Sequence, residues 1–265
     1  SRFAGLHFFN PVNKMPLVEI IKHDEISEET INDLHQWVIK SKKTPVVVGD
    51  GPGFLVNRIL MPYLNEAGHL LMEGVSIKEL DNAALKFGMP MGPCRLLDEI
   101  GIDVADKVAA IMYNGLGERA KDSGQAKEMI EKNFLGKKSG KGFYCYDERG
   151  KSTGVNSEVE DMLPDSKSME LNEIQMRLIL PMVNEACYIL DEKIVNSAEE
   201  VDLGLIFGIG FPPFRGGLCR YADKEGLDRF QKALEGFSNS VSKDRYTPAP
   251  FLNELVKSKR KFYDM

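Results

Sequence analysis

RILMPYLNEAGHLLME, residues 58–73, returns as RLILPMVNEACYILDE, residues 177–192. Arg58 aligns with Arg177, Pro62 with Pro181, and Asn65-Glu66-Ala67 with Asn184-Glu185-Ala186. After a small insertion, Ser76 and Glu79 recur as Ser197 and Glu200, Asp81 as Asp202, and Phe87-Gly88 as Phe207-Gly208. Matches in this order identify an internal duplication. In the first copy Ile59, Leu60, Tyr63, Leu64, Ala67, Leu70 and Leu71 form one apolar face at helical spacing. Each Ser with a Glu three positions on reads as a capping box. The duplicated unit is therefore helical, and two such units can pack face to face about a pseudo-two-fold axis, as homodimers do.

Upstream of the first copy the pattern changes. Residues 3–9 and 17–22 are short apolar runs that read as buried strands. Over 27–42, Ile31, Leu34 and Val38 recur at helical spacing, with Glu28 and Glu29 in the first turn and Lys40, Lys42 and Lys43 at the end. Thr44 to Asp50 is a further strand ending in a glycine-rich turn. Strand, strand, helix, strand is the tail of an α/β sheet domain. Three strands and one helix are too few to bury both faces of a sheet. The rest of that domain is therefore expected before Ser1, and the chain is expected to be a fragment with a strand edge open to other pairings. Residues 134–146, FLGKKSGKGFYCY, read as a basic turn between aromatic segments, and 147–168 as a polar linker with Gly150, Gly154 and Pro164. The expected organisation is mostly α: a sheet-domain remnant over 1–50, a first helical domain over 51–148, a linker over 149–170, and a second helical domain over 171–265.

The bulk properties exclude several classes. Of 265 residues, 43% are hydrophobic and 28% charged, as in ordinary soluble domains. A net charge of -6 argues against a general nucleic-acid binder. No apolar run approaches the ~20 residues of a membrane helix. Cys94, Cys145, Cys187 and Cys219 lack metal-like spacing and read as reduced core thiols, in keeping with a cytoplasmic protein.

The candidate chemistry lies at the front. His7 ends an apolar strand just before Asn10-Pro11. A lone strand-end histidine is more often structural. Glu19, however, sits between Val18 and Ile20, where a carboxylate is costly unless paired. A His–Glu pair on adjacent strands would satisfy it, fix the imidazole tautomer and raise its basicity. Asn57 follows a Gly-Pro-Gly turn at a helix start and can reach the same point. No complete glycine-rich nucleotide fingerprint occurs. Gly49-Asp50-Gly51-Pro52-Gly53 has the wrong spacing and a proline, and Gly208-Ile209-Gly210 runs into Pro212 and Pro213. Lys137, Lys138 and Lys141 read as a solvated turn, with contact to a ligand's phosphates or support of a partner domain as the sharper alternatives. His23, His35 and His69 read as surface or packing residues, and Asn184 and Glu185 as residues holding the helix pair together. Arg95 and Arg215 hold similar places after the Phe-Gly turns and are expected to pair with carboxylates.

GLHFFNPVNKMPLVEI together with GDGPGFLVNRI resembles the 3-hydroxyacyl-CoA dehydrogenase family, and the likeness extends over nearly the whole chain, including GKKSGKGFY. His7, Asn10, Glu19 and Asn57 match the family's motif residues in order and spacing. The paired helical domains resemble its multifunctional members. The resemblance implies a Rossmann-like sheet remnant followed by two duplicated all-α C-terminal domains. It also implies NAD-dependent oxidation of an L-3-hydroxyacyl-CoA to the 3-ketoacyl-CoA in fatty-acid β-oxidation. In that reading His7 is the general base, Glu19 orients it, and Asn57, supported by Asn10, holds the substrate oxygen. The implied substrate is an acyl-CoA, and the implied partner is a thiolase subunit of a fatty-acid oxidation complex. The chain departs from the family in lacking the nucleotide-binding half and a site serine. Alone it is therefore expected to bind NAD weakly or not at all and to be inactive. The competing class is a non-catalytic dimerisation or scaffold module. A short-chain 3-hydroxybutyryl-CoA dehydrogenase is a further alternative, disfavoured by the duplication because such enzymes usually dimerise through one copy.

Overall fold

The computed structural model describes residues 2–264. Its first part is β1 (Gly5–Phe8), β2 (Leu17–Lys22), α1 (Glu28–Lys40) and β3 (Thr44–Gly49). Next come α2 (Val56–Met72), α3 (Ile77–Phe87), α4 (Pro93–Ile100), α5 (Ile102–Leu116) and α6 (Ala126–Glu131). A two-stranded ribbon of β4 (Tyr144–Tyr146) and β5 (Ser152–Val155) leads to the short α7 (Ser157–Glu160). The chain ends with α8 (Leu171–Asp191), α9 (Ala198–Ile209), α10 (Leu218–Glu225), α11 (Leu227–Ser240), α12 (Lys243–Tyr246) and α13 (Pro250–Ser258). Two compact units result. One combines residues 1–60 with 182–265, and the other is residues 61–181. Both α2 and α8 pass from one unit to the other along their length.

In the first unit the sheet order is β1-β2-β3, with β1/β2 antiparallel and β2/β3 parallel. The alternation of β2 explains its burial on both faces. Val18 and Ile20 point into a cluster with Ile26, Ile31 and Val38, which α1 closes. Leu17 faces the other way and meets α9 at Gly208. On that face β2 is covered by α9, part of the second helical copy. Ser27 caps α1 by accepting the Thr30 N–H.

The duplication is plainer in the hydrogen bonds than in the letters. In the second unit the Asp81 carboxylate accepts from the Cys94 and Arg95 amides at 2.9 and 3.2 Å and from the Tyr144 hydroxyl at 2.8 Å. In the first unit Asp202 accepts from the Cys219 and Arg220 amides at 2.7 and 3.1 Å and from the Tyr263 hydroxyl at 2.8 Å. Gly92 and Gly217 make both arrangements possible, because a Cβ on either would stand 2.2 Å from the aspartate Cγ. The structural counterpart of Arg95 is therefore Arg220, not Arg215. Arg95 bonds Glu99 at 3.1 Å, whereas Arg215 stacks over Phe214 and Tyr221. The Ser76–Glu79 capping box is complete. Its copy is half-made, since Ser197 caps the Glu200 N–H but Glu200 turns its carboxylate to the Asn196 N–H. Within the stretch expected as a linker, Ser152–Val155 forms β5 and pairs with β4.

The helices α2 and α8 exchange buried charges reciprocally. In the first unit Arg58 Nε donates to Glu185 at 2.7 Å, and its two other nitrogens form a fork on Glu192 at 2.7 and 2.8 Å. In the second unit Arg177 does the same with Glu66 and Glu73, its Nε reaching Glu66 at 2.8 Å. Both arginines are 1% exposed.

Asp98, also buried, accepts from the Phe143 and Tyr144 amides at 2.9 Å each and from the Tyr146 hydroxyl at 2.7 Å. Burial pushes its carboxyl up to about 6, against the pull of those three donors. A folded-state value above the unfolded one means that the folded chain holds this proton longer. The stability Asp98 contributes is therefore fully present below pH 4 and lost as pH rises through 6. Relative to Asp98→Asn, whose amide does not titrate, the urea midpoint of the parent chain should fall between pH 4 and 7. An unchanged difference would show that Asp98 is ionised throughout.

Candidate active site

His7 and Glu19 stand directly opposite each other on β1 and β2. Antiparallel pairing brings opposed side chains on one face within reach of each other, and His7 Nδ1 lies 2.6 Å from Glu19 Oε2. Glu19 is fully buried, while the His7 side chain is 30% exposed. The second carboxylate oxygen, Oε1, accepts from the Leu55 and Val56 amides at 3.2 and 2.9 Å. These amides begin α2, where the first N–H groups of a helix lack internal partners and carry the positive end of its dipole. The buried carboxylate is satisfied on both oxygens. A carboxylate only accepts, so His7 donates through Nδ1–H, which leaves Nε2 as the ring nitrogen that Glu19 does not engage. Phe9 and Phe54 flank the imidazole, with ring centroids 4.7 and 5.7 Å away.

The two asparagines stand apart from this network. Asn57 directly follows Val56 in the first turn of α2, half-buried. Asn10 is exposed beyond the end of β1. Neither amide has a hydrogen-bond partner among the described residues. The loop carrying Asn10 is tied down by Lys43 Nζ, which donates to the Val12 and Met15 carbonyls at 2.6 and 2.7 Å. The residues that sequence reasoning missed are Leu55 and Val56, which act through their backbone. A signal existed: a glutamate in an apolar strand needs donors, and a helix opening after Gly-Pro-Gly offers them.

The glycine-rich turn at 49–53 does not fit a dinucleotide's pyrophosphate. The Gly49 N–H is spent on the Ile194 carbonyl at 2.7 Å and the Asp50 N–H on Lys22 at 3.1 Å. Pro52 has no N–H, the Phe54 N–H turns back to the Gly51 carbonyl at 3.0 Å, and the Leu55 and Val56 amides serve Glu19. The basic turn is likewise occupied, with Lys137 on Glu99, Lys138 on Asp103 and Lys141 on Glu158. His23 contacts the Phe3 carbonyl at 2.8 Å, and His69 approaches the Lys121 carbonyl at 3.4 Å. Asn184 donates to the Thr247 carbonyl and accepts from the Ala249 N–H. Among the described residues no helix is long and apolar enough to cross a membrane.

Comparison with known proteins agrees with this arrangement. The profile of the 3-hydroxyacyl-CoA dehydrogenase C-terminal domain matches twice, at residues 53–146 and 174–262. That of the 3-hydroxyacyl-CoA dehydrogenase NAD binding domain matches residues 1–51. The fatty acid oxidation complex subunit alpha of Idiomarina loihiensis is 46% identical over 265 residues, which is 99% of this chain. That of Vibrio campbellii is 46% identical over 267 residues, which is 100% of this chain. The chain spans 37% of the length of each. Among solved structures, the dehydrogenase part of multifunctional enzyme 1 from C. elegans is 30% identical with a TM-score of 0.72, over 95% of this chain and 59% of that one. The 3-hydroxybutyryl-CoA dehydrogenase of Escherichia coli K12 has a TM-score of 0.80 at 23% identity, over 96% of this chain and 70% of that one.

Proposed function

The chain belongs to the 3-hydroxyacyl-CoA dehydrogenase family, whose members use NAD, and from that premise we propose that it carries the proton-handling half of this reaction on a 3-hydroxyacyl-CoA. The observation that carries the proposal is the 2.6 Å contact between His7 Nδ1 and a Glu19 carboxylate held by two backbone amides. With Nδ1 committed, Nε2 accepts the 3-hydroxyl proton and returns it to the carbonyl oxygen in the reverse direction. Glu19 fixes the tautomer and stabilises the imidazolium that forms. Asn57, supported by Asn10, supplies the amide for the substrate oxygen. NAD accepts the hydride in this family, but the residues present do not hold it, so no step here runs through it. We assign residues 1–50 to the nucleotide-binding domain, 51–148 and 171–265 to the two helical domains, and 149–170 to the segment joining them. In the cell the whole protein would work on acyl-CoA in the cytoplasm, within a fatty-acid oxidation complex beside a thiolase subunit. A scaffold role is favoured by the reciprocal ion pairs but leaves the His7–Glu19 pair unexplained.

The test is acetoacetyl-CoA reduction followed by loss of NADH absorbance. It compares this chain with one extended upstream through a dinucleotide-binding domain. Turnover is expected only in the longer protein. Turnover by the 265-residue chain alone would reveal a nucleotide site outside the 49–53 turn, and inactivity of both would favour the scaffold.

A further inference from the structure

The second helical copy contains no histidine, yet it touches the support of Glu19 at three places. The first is backbone to backbone: the Ile194 carbonyl, just after α8, takes the Gly49 N–H at 2.7 Å and so fixes the turn leading to α2. The second is the pairing of Glu185 and Glu192 with the buried guanidinium of Arg58, two residues beyond Val56. The third is the close approach of α9. A Cβ on Gly204 would stand 2.5 Å from Leu55 Cδ2. A Cβ on Gly208 would stand 3.0 Å from the Val56 methyls and from Leu17 Cδ2. Leu55 and Val56, both fully buried, are the residues whose amides hold Glu19.

A glycine inside a helix is destabilising relative to alanine, and α9 carries Gly204 and Gly208 one turn apart. At the same distance from the capping serine as Gly204, the first copy has Ala83 in α3. The gap at Gly204 is therefore specific to the helix that lies against Leu55 and Val56.

We propose that the second copy positions the catalytic pair: α9, through Gly204 and Gly208, sets the Leu55 and Val56 amides that hold the Glu19 carboxylate against His7. Gly204 and Gly208 are positioning residues. The proposal rests on the reading of His7 as the base, but the outcomes that overturn it are not read from turnover.

The test is the 15N spectrum of the His7 ring in the 265-residue chain, which reports the tautomer directly. The parent chain is expected to show a single Nδ1–H tautomer with a downfield hydrogen-bonded proton. Gly204→Ala should give a mixture of tautomers and lose the downfield proton while far-UV circular dichroism is retained. Adding Leu55→Ala, which removes the clashing methyls, should restore the parent signals. Gly208→Ala, whose Cβ meets only side-chain ends, is the variant to read if Gly204→Ala does not fold. Gly236→Ala, on α11 with nothing within 4 Å of its Cβ, is the control and should leave His7 unchanged. In the extended protein the Gly204→Ala loss should fall on kcat, on the order of 10²-fold, with KM retained. Folded Gly204→Ala or Gly208→Ala with His7 signals like the parent's would overturn the proposal. So would a shift that Leu55→Ala fails to reverse, or an equal shift in the control. Failure of the base assignment looks different: His7→Gln would keep turnover while the tautomer results stood.

Discussion

His7→Gln in the extended protein should lower kcat about 10²- to 10⁴-fold, the usual contribution of a positioned general base, with little change in KM. Glutamine fills similar space but cannot take up a proton. Glu19→Gln should cause a loss of the same order for a different reason. Both oxygens of Glu19 accept, one from His7 and one from the Leu55 and Val56 amides. A carboxamide has one acceptor end and one donor end, so either the imidazole or the backbone amides lose their partner. Stopped-flow turnover with acetoacetyl-CoA would measure both variants. A kcat within about threefold of the parent's for His7→Gln would place the base elsewhere.

Arg177→Met should destabilise the fold by about 3–5 kcal/mol, the cost of leaving a buried partner charge uncompensated. Glu66, 1% exposed, would remain as an unpaired carboxylate. Adding Glu66→Leu should recover most of the loss, because two well-packed apolar groups replace the pair without a lone charge. The exposed Lys22–Glu28 pair offers the contrast. Its side chains are 44% and 75% exposed, and Lys22→Ala should shift stability by no more than about 1 kcal/mol. Urea unfolding of the three variants would decide. A small loss for Arg177→Met would mean that water reaches the site and solvates Glu66.

Much of this was readable in the letters. The strands, α1 and the apolar face of α2 follow from periodicity, and the duplication from Arg58, Asn65 and Glu66 recurring as Arg177, Asn184 and Glu185. The pairing of His7 with Glu19 follows from the cost of burying a carboxylate beside Val18 and Ile20. Other features had no local signal. Repeated letters say which residues recur but not that the arginine of one copy binds the glutamates of the other. Backbone donors such as those of Leu55 and Val56 carry no letter at all. The four residues that separate the copies before Cys219 hid the correspondence of Arg95 with Arg220. Ser152–Val155 is too short and polar to announce a strand, and only pairing with β4 makes it one.

Glu185 lies 127 positions after the arginine it neutralises. A ribosome adding roughly 5–20 residues each second needs on the order of ten seconds to deliver it. Throughout that interval the start of α2 cannot dock without burying a bare guanidinium, so it has reason to stay open. The amides that will grip Glu19 belong to that same helix start. The proton-transfer pair thus becomes ordered only once Glu185 has emerged, long after its own residues have left the ribosome.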